Sequence, residues 1–139
     1  MQNKLTEDEV IKLLMAHLEN DGWYIDSFCL GHKRGIDIKA SKGKEILIIE
    51  AKGAKANDKS PIKKRKHFDS GQIKTHFGKA IVKVLEEKSK NEKIKVAIAQ
   101  PDDIDIKKSV GHIIPFLKTL GINHFWVSNK GIIIDELLV

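Results

Sequence analysis

Two acids and a lysine stand out in this chain by type and spacing. Asp37 follows Gly35-Ile36, and thirteen residues further on comes Glu50-Ala51-Lys52, closing the apolar run Ile46-Leu47-Ile48-Ile49. Successive side chains of a strand point to opposite faces, so Glu50 and Lys52 share a face with Ile46 and Ile48. A core strand would bury that face with hydrocarbon. Desolvating an ionised group there is costly unless it is paired or holds a metal. Hard carboxylate oxygens suit Mg2+, and the chemistry they suggest is phosphodiester hydrolysis, with Lys52 orienting the attacking water or helping to deprotonate it. The plainer alternative is a Glu50–Lys52 ion pair at a fraying strand end.

The elements around these residues must bring them together. Val10, Leu13, Leu14, His17 and Leu18 recur at helical spacing over Thr6 to Asn20, where Thr6 caps the helix and Glu9 completes a capping box. Trp23 to Leu30 reads as a first strand and Ile36-Asp37-Ile38-Lys39 as a second. Ser41 to Lys44 then supplies a hairpin turn into a third strand, Glu45 to Lys52. In that hairpin Asp37 and Glu50 fall at about the same level of the sheet. Gly53 to Phe68 carries glycine, proline and lysine without apolar periodicity and reads as a long loop. A second helix starts near Ser70, with Ile73, Phe77, Ala80, Ile81, Val84 and Leu85 on one face, and a buried strand follows over Lys93 to Ala99. A third helical region, Ile106 to Leu120, is interrupted by Gly111 and Pro115. Two last strands, Phe125 to Ser128 and Gly131 to Leu137, turn at Asn129-Lys130-Gly131. Short turns make the first three strands antiparallel, and a strand reached through a helix pairs in parallel. The expected architecture is α/β, a mixed sheet with helices on both faces.

The 139 residues suit one domain spanning residues 1–139. No apolar run approaches the ~20 residues of a membrane span, and the polar start, which leads straight into a helix, lacks a signal-peptide pattern. A cytoplasmic, soluble protein is the expectation. The single cysteine, Cys29, rules out an internal disulfide and a cysteine-based zinc site, and reads as core filler. Basic residues number 25 against 19 acids, a formal charge of +6, which favours a polyanionic partner. The excess concentrates in Lys55, Lys59, Lys63, Lys64, Arg65 and Lys66, facing one acid, Asp58. A solvated loop would also account for such a run.

Gly35-Ile36-Asp37, a spacer and Glu50-Ala51-Lys52 resemble the motif of the PD-(D/E)XK nuclease superfamily, the fold of many restriction enzymes and of archaeal Holliday-junction resolvases. Ile36 stands where proline is usual, a substitution common in the superfamily. The element order over roughly residues 5 to 100 matches as well. The resemblance implies a restriction-endonuclease-like core of order αβββαβ, followed here by a further helix and two strands. It implies a metal-dependent endonuclease cutting DNA, with Mg2+ or alternatively Mn2+ held by Asp37 and Glu50, and Lys52 as the catalytic base or water-positioning group. It also implies a first-helix glutamate completing the metal site, for which Glu9 is the choice, Glu7 the competitor and Glu19 the more remote candidate. A glutamine at the start of the second helix, Gln72, would support Lys52 or the scissile phosphate. Glu9 as a plain capping residue and Gln72 as a solvent-facing one are the simpler readings, and His67 and His76 read as surface histidines.

The lysine-rich loop would clasp backbone phosphates, which gives affinity without reading sequence. With no recognisable helix-turn-helix or zinc module, structure-selective or weakly sequence-specific cutting follows. A non-catalytic nucleic-acid-binding or assembly module on the same scaffold is the alternative. Two cuts on a duplex would call for a homodimer. The apolar end, Ile132-Ile133-Ile134 and Leu137-Leu138-Val139, serves as core or interface, core being the simpler reading.

Overall fold

The computed structural model describes residues 4–31, 33–57 and 67–135. Helix α1 (Glu7–Asn20) leads into strands β1 (Tyr24–Phe28), β2 (Ile38–Lys42) and β3 (Glu45–Ala51). After the segment that follows β3 come α2 (Ser70–Lys90), β4 (Lys95–Pro101), α3 (Ile104–Val110), a 3-10 turn (Gly111–Ile113), α4 (Ile114–Thr119), β5 (Ile122–Val127) and β6 (Ile133–Asp135). The strands lie in the order β1-β2-β3-β4-β5-β6. Pairing is antiparallel from β1 to β3, parallel from β3 to β5, and antiparallel again between β5 and β6. The expected mixed sheet is therefore present.

Alternation of apolar side chains along the strands builds two cores. Leu47, Ile49, Ala51, Ala97 and Ala99 pack with Val10, Ile11, Leu14 and Leu18 of α1 on one face. Ile48, Val96, Ile98 and Ile122 pack with Ile73, Phe77, Ala80 and Val84 of α2, and with Ile106, Val110, Ile114 and Leu117, on the other. The break anticipated at Gly111 and Pro115 is real: α3 ends at Val110 and a 3-10 turn separates it from α4.

Three details differ from the sequence reading. The second strand begins at Ile38, and a tight turn at Gly43, whose φ of +62° suits a residue without Cβ, extends the hairpin to Lys42 and Glu45. Asp37 sits in the bend just before it. As a result Ile36 packs with the α2-side core while Ile38 belongs to the α1-side core, so the strict alternation through residues 36–39 is broken at Asp37. Cys29 is half-buried rather than core. Ile132 and Ile134 are 60% and 43% exposed, and only Ile133 packs against the α1-side core. The short β6 is an edge strand, so the sheet covers one side of it only. Leu137 to Val139 lie outside the described residues.

Candidate active site

The register of the β2–β3 hairpin pairs Ile38 with Ile49, so Asp37 and Glu50 come next in line at the open end of the ladder. Their contacts cross. Asp37 Oδ2 accepts the Ala51 N–H at 2.8 Å, and Glu50 Oε2 accepts the Asp37 N–H at 3.4 Å. Glu50 retains 6% exposure, on the α2 side of the sheet among Ile48 and Ile98. Lys52, one step beyond β3, continues the ladder by donating its N–H to Ala99 O at 2.9 Å. Alternation keeps its side chain on the Glu50 face. Among the described residues Lys52 forms no ion pair, so the simple Glu50–Lys52 bridge is not made.

The third acid is Glu7. Gly53 brings it in, because the chain leaving β3 lies directly against the start of α1. A Cβ at residue 53 would stand 2.4 Å from Glu7 N and 2.8 Å from Thr6 C. Ala54 N–H bonds Leu5 O at 2.7 Å, and Thr6 and Lys55 form a parallel bridge. Glu7 and Lys52 consequently line one small cavity of about 120 Å3, together with Gly53, Lys55, Asn57, Phe68 and His76.

Charge crowding is evident in the carboxyls. Burial first, and then the charge of Asp37, push Glu7 up to about 7. Burial and Asp37 likewise push Glu50 up to about 7. Asp37 is raised by burial, against the opposing effect of the Ala51 N–H and the cations Lys52 and Lys83. Three carboxyls that resist ionising together are a donor set a divalent cation would relieve, since it supplies the opposing charge they lack. Asp37, Glu50 and Glu7 therefore fit Mg2+ by chemistry. Among the described residues, however, no three metal-capable side chains stand close enough to hold an ion as placed.

The two supporting candidates taken from sequence serve elsewhere. Glu9 Oε1 accepts the Thr6 N–H at 2.8 Å while Thr6 Oγ1 accepts the Glu9 N–H, the reciprocal bonds of a capping box. Gln72 does the same for α2, its Oε1 accepting the Asp69 N–H at 3.0 Å and Asp69 Oδ1 accepting the Gln72 N–H at 2.8 Å. Both occupy the third helical position, where the capping box spends the side chain on the backbone. Glu19, at the far end of α1, is exposed.

Two further residues lie at the site, His76, which the sequence reading placed on the surface, and Lys83, which it did not single out. His76 lines the cavity, its ring edge-on to Phe68 at 4.5 Å, and burial with the nearby Lys52 and Lys79 holds its pKa below the usual histidine value. Lys83 donates from Nζ to Gly35 O at 3.2 Å, tying α2 to the turn that presents Asp37. The signal was the 4-3-4 spacing of Gln72, His76, Lys79 and Lys83, a polar stripe beside the apolar face of α2. Of the basic loop residues, Lys55 lines the cavity, whereas Lys59, Lys63, Lys64, Arg65 and Lys66 lie outside the described residues.

Among solved structures, the chain is similar to an XisH family protein from Nostoc punctiforme, with TM-score 0.57 and 16% identity over 91% of this chain and 97% of that one. The fold is restriction-endonuclease-like. A weaker likeness, TM-score 0.35 at 17% identity, is to Pyrococcus furiosus SfsA in complex with Ca2+, of which the chain spans 59%. No protein-family model and no curated protein sequence matches the chain. Among the described residues no helix is long and apolar enough to cross a membrane.

Proposed function

We propose that this chain is a metal-dependent nuclease that hydrolyses DNA phosphodiester bonds with structure-selective or weak sequence preference. The observation that carries the reading is that Glu50 and Glu7, from separate elements at one end of the sheet, both feel the charge of Asp37, beside Lys52, which forms no ion pair among the described residues. Asp37 and Glu50 would hold Mg2+ or Mn2+, with Glu7 completing the set. When bound, the cation supplies Lewis-acid activation of phosphate and water. Lys52 Nζ orients the attacking water or donates to a phosphate oxygen. Burial and the nearby Lys52 and Lys79 hold the His76 pKa below the usual histidine value, which favours the neutral ring whose lone pair can take a proton from that water. The hydrogen bonds between Asp37 and Glu50 hold both carboxylates before substrate arrives, so little reorganisation is left to the reaction. Lys55 and the basic run from Lys59 to Lys66 would meet the backbone phosphates.

The test is incubation with plasmid, linear, branched and single-stranded DNA in Mg2+ or Mn2+. Cutting that disappears in Asp37→Ala and Lys52→Ala supports the reading, and cutting that survives both overturns it. The wide placement of the acids favours one second reading, a nucleic-acid-binding or assembly module on this fold that does not turn over. It predicts binding that is indifferent to Asp37→Ala. A symmetric homodimer would allow both strands of a duplex to be cut, and sedimentation with and without DNA tests that part.

A further inference from the structure

A second cavity, of about 460 Å3, opens between the start of α2 and α3, and shares the wall residue Phe68 with the cavity at the acids. Its lining includes His67, Ser70, Lys74, Lys108 and His112. Two acids also border it, and both are engaged. Asp69 Oδ1 caps α2 through the Gln72 N–H, and Asp105 pairs with Lys4 at 2.6 Å. Lys74 and Lys108 form no ion pair with any described residue. Ser109 Oγ donates to Ser70 Oγ at 3.1 Å, which leaves the Ser70 hydroxyl hydrogen to point elsewhere. The cavity thus offers two ammonium groups that form no ion pair among the described residues, two imidazoles and a hydroxyl donor at the start of a 21-residue helix, with the Asp69 and Asp105 carboxylates at its border. That set is complementary to a phosphate group.

We infer that this cavity is a second phosphate-binding subsite, which takes a backbone phosphate of the same nucleic-acid strand whose neighbouring phosphate lies at the acids, with Phe68 between the two. The inference rests on the nuclease reading for the strand's presence at Asp37 and Glu50, and adds where that strand goes next. A strand crossing Phe68 into the cavity meets Lys74 from α2 and Lys108 from α3, two elements that the sequence separates and the α2-side core brings side by side.

Binding is measured by fluorescence anisotropy of a labelled oligodeoxynucleotide in EDTA, so that nothing is cut, across a series of salt concentrations. Lys74→Gln/Lys108→Gln should weaken binding about tenfold at low salt, and should flatten the log–log salt slope by about 0.7–0.9 through the loss of that phosphate contact. Lys74→Arg/Lys108→Arg should restore both, and Lys12→Gln on exposed α1 should change neither. Melting temperatures of all variants are recorded, and the arginine pair separates lost charge from lost fold. Inorganic phosphate, titrated in competition, should displace the oligonucleotide only at far higher concentration. Unchanged affinity and slope in the glutamine pair, a parent that binds no oligonucleotide, or free phosphate competing on equal terms overturns the assignment. A parent that binds in this charge-dependent way and yet cuts nothing with Mg2+ supports the subsite and defeats the nuclease reading alone.

Discussion

Asp37 and Glu50 hold each other's backbone in place: the Asp37 carboxylate takes the N–H that follows Glu50, and the Glu50 carboxylate takes the N–H of Asp37. Among the described residues each acid thereby has one oxygen in a backbone hydrogen bond and none shown for the other. Neutralising either therefore disturbs both position and charge, and Asp37→Asn or Glu50→Gln should each lower cleavage by about 10²–10³, the scale of losing one preorganised polar group, as read by kcat at saturating Mg2+.

Cation binding should be visible without substrate. Glu7 and Glu50 are raised to about 7 from 4.5, so they bind more protons in the folded than in the unfolded chain. The stability they contribute is complete below about pH 4.5 and is lost as pH rises through 7. Mg2+ or Mn2+ should therefore raise Tm far more at pH 8 than at pH 5.5. Saturation at a hundred times Kd is worth about 2.7 kcal/mol. Equal shifts at both pH values, or a shift that survives in Asp37→Asn/Glu50→Gln, would count against a carboxylate site.

Glu7 and Glu9 separate function from capping. Glu7→Gln should leave Tm level or raised, because a crowded buried charge is removed, while metal affinity and cleavage fall at least tenfold. Glu9→Ala should cost about 1 kcal/mol of stability through the lost half of the capping box and leave the cleavage rate of the folded protein near that of the parent. The reverse pattern, measured by calorimetry and by cleavage kinetics, would return the catalytic role to Glu9.

Gly53 is a contact point between α1 and the end of β3. A Cβ there cannot fit 2.4 Å from Glu7 N, so Gly53→Ala should cost about 1–3 kcal/mol in thermal unfolding. The start of α1 should also move away from Asp37. The metal-induced Tm shift should then shrink along with the stability. A Gly53→Ala protein that melts with the parent would show that the approach is looser than drawn.

His124 destabilises the fold in acid. Fully buried between Phe77 and Trp126, it meets Gln100 Nε2 at 2.8 Å and its Nδ1 has no hydrogen-bond partner among the described residues. Burial lowers its pKa to about 3. The unfolded chain therefore takes up a proton near pH 6.5 that the folded chain refuses, so the His124 contribution alone falls by about 2 kcal/mol between pH 6.5 and 5, against the rising contributions of Glu7 and Glu50 over the same range. NMR of the imidazole should show a neutral ring at pH 5. A titration midpoint near 6.5 in the folded protein would contradict this.

Much of the arrangement was legible in the residues themselves. Periodicity marks α1 and α2, the β-rich runs mark the strands, and Gly43 marks the hairpin, because local conformational preference and the burial of one face act over neighbouring residues. The pairing of Asp37 with Glu50 followed from counting across that hairpin. Glu9 and Gln72 are engaged for an equally local reason: the third position of a helix can spend its side chain on the helix's own backbone, and both Thr6-x-x-Glu9 and Asp69-x-x-Gln72 do so.

The sequence by itself determined the α/β element order, the Asp37, Glu50 and Lys52 constellation and the positive charge. Only the tertiary structure decided that Glu7 lines one cavity with Lys52, since its approach depends on Gly53 lying against a helix that begins 46 residues earlier. It likewise decided that His76 lines the cavity with Lys52, that Lys83 reaches Gly35, and that Lys74 and Lys108 line one cavity. These contacts join elements far apart along the chain, and no local periodicity carries the distance between two packed surfaces.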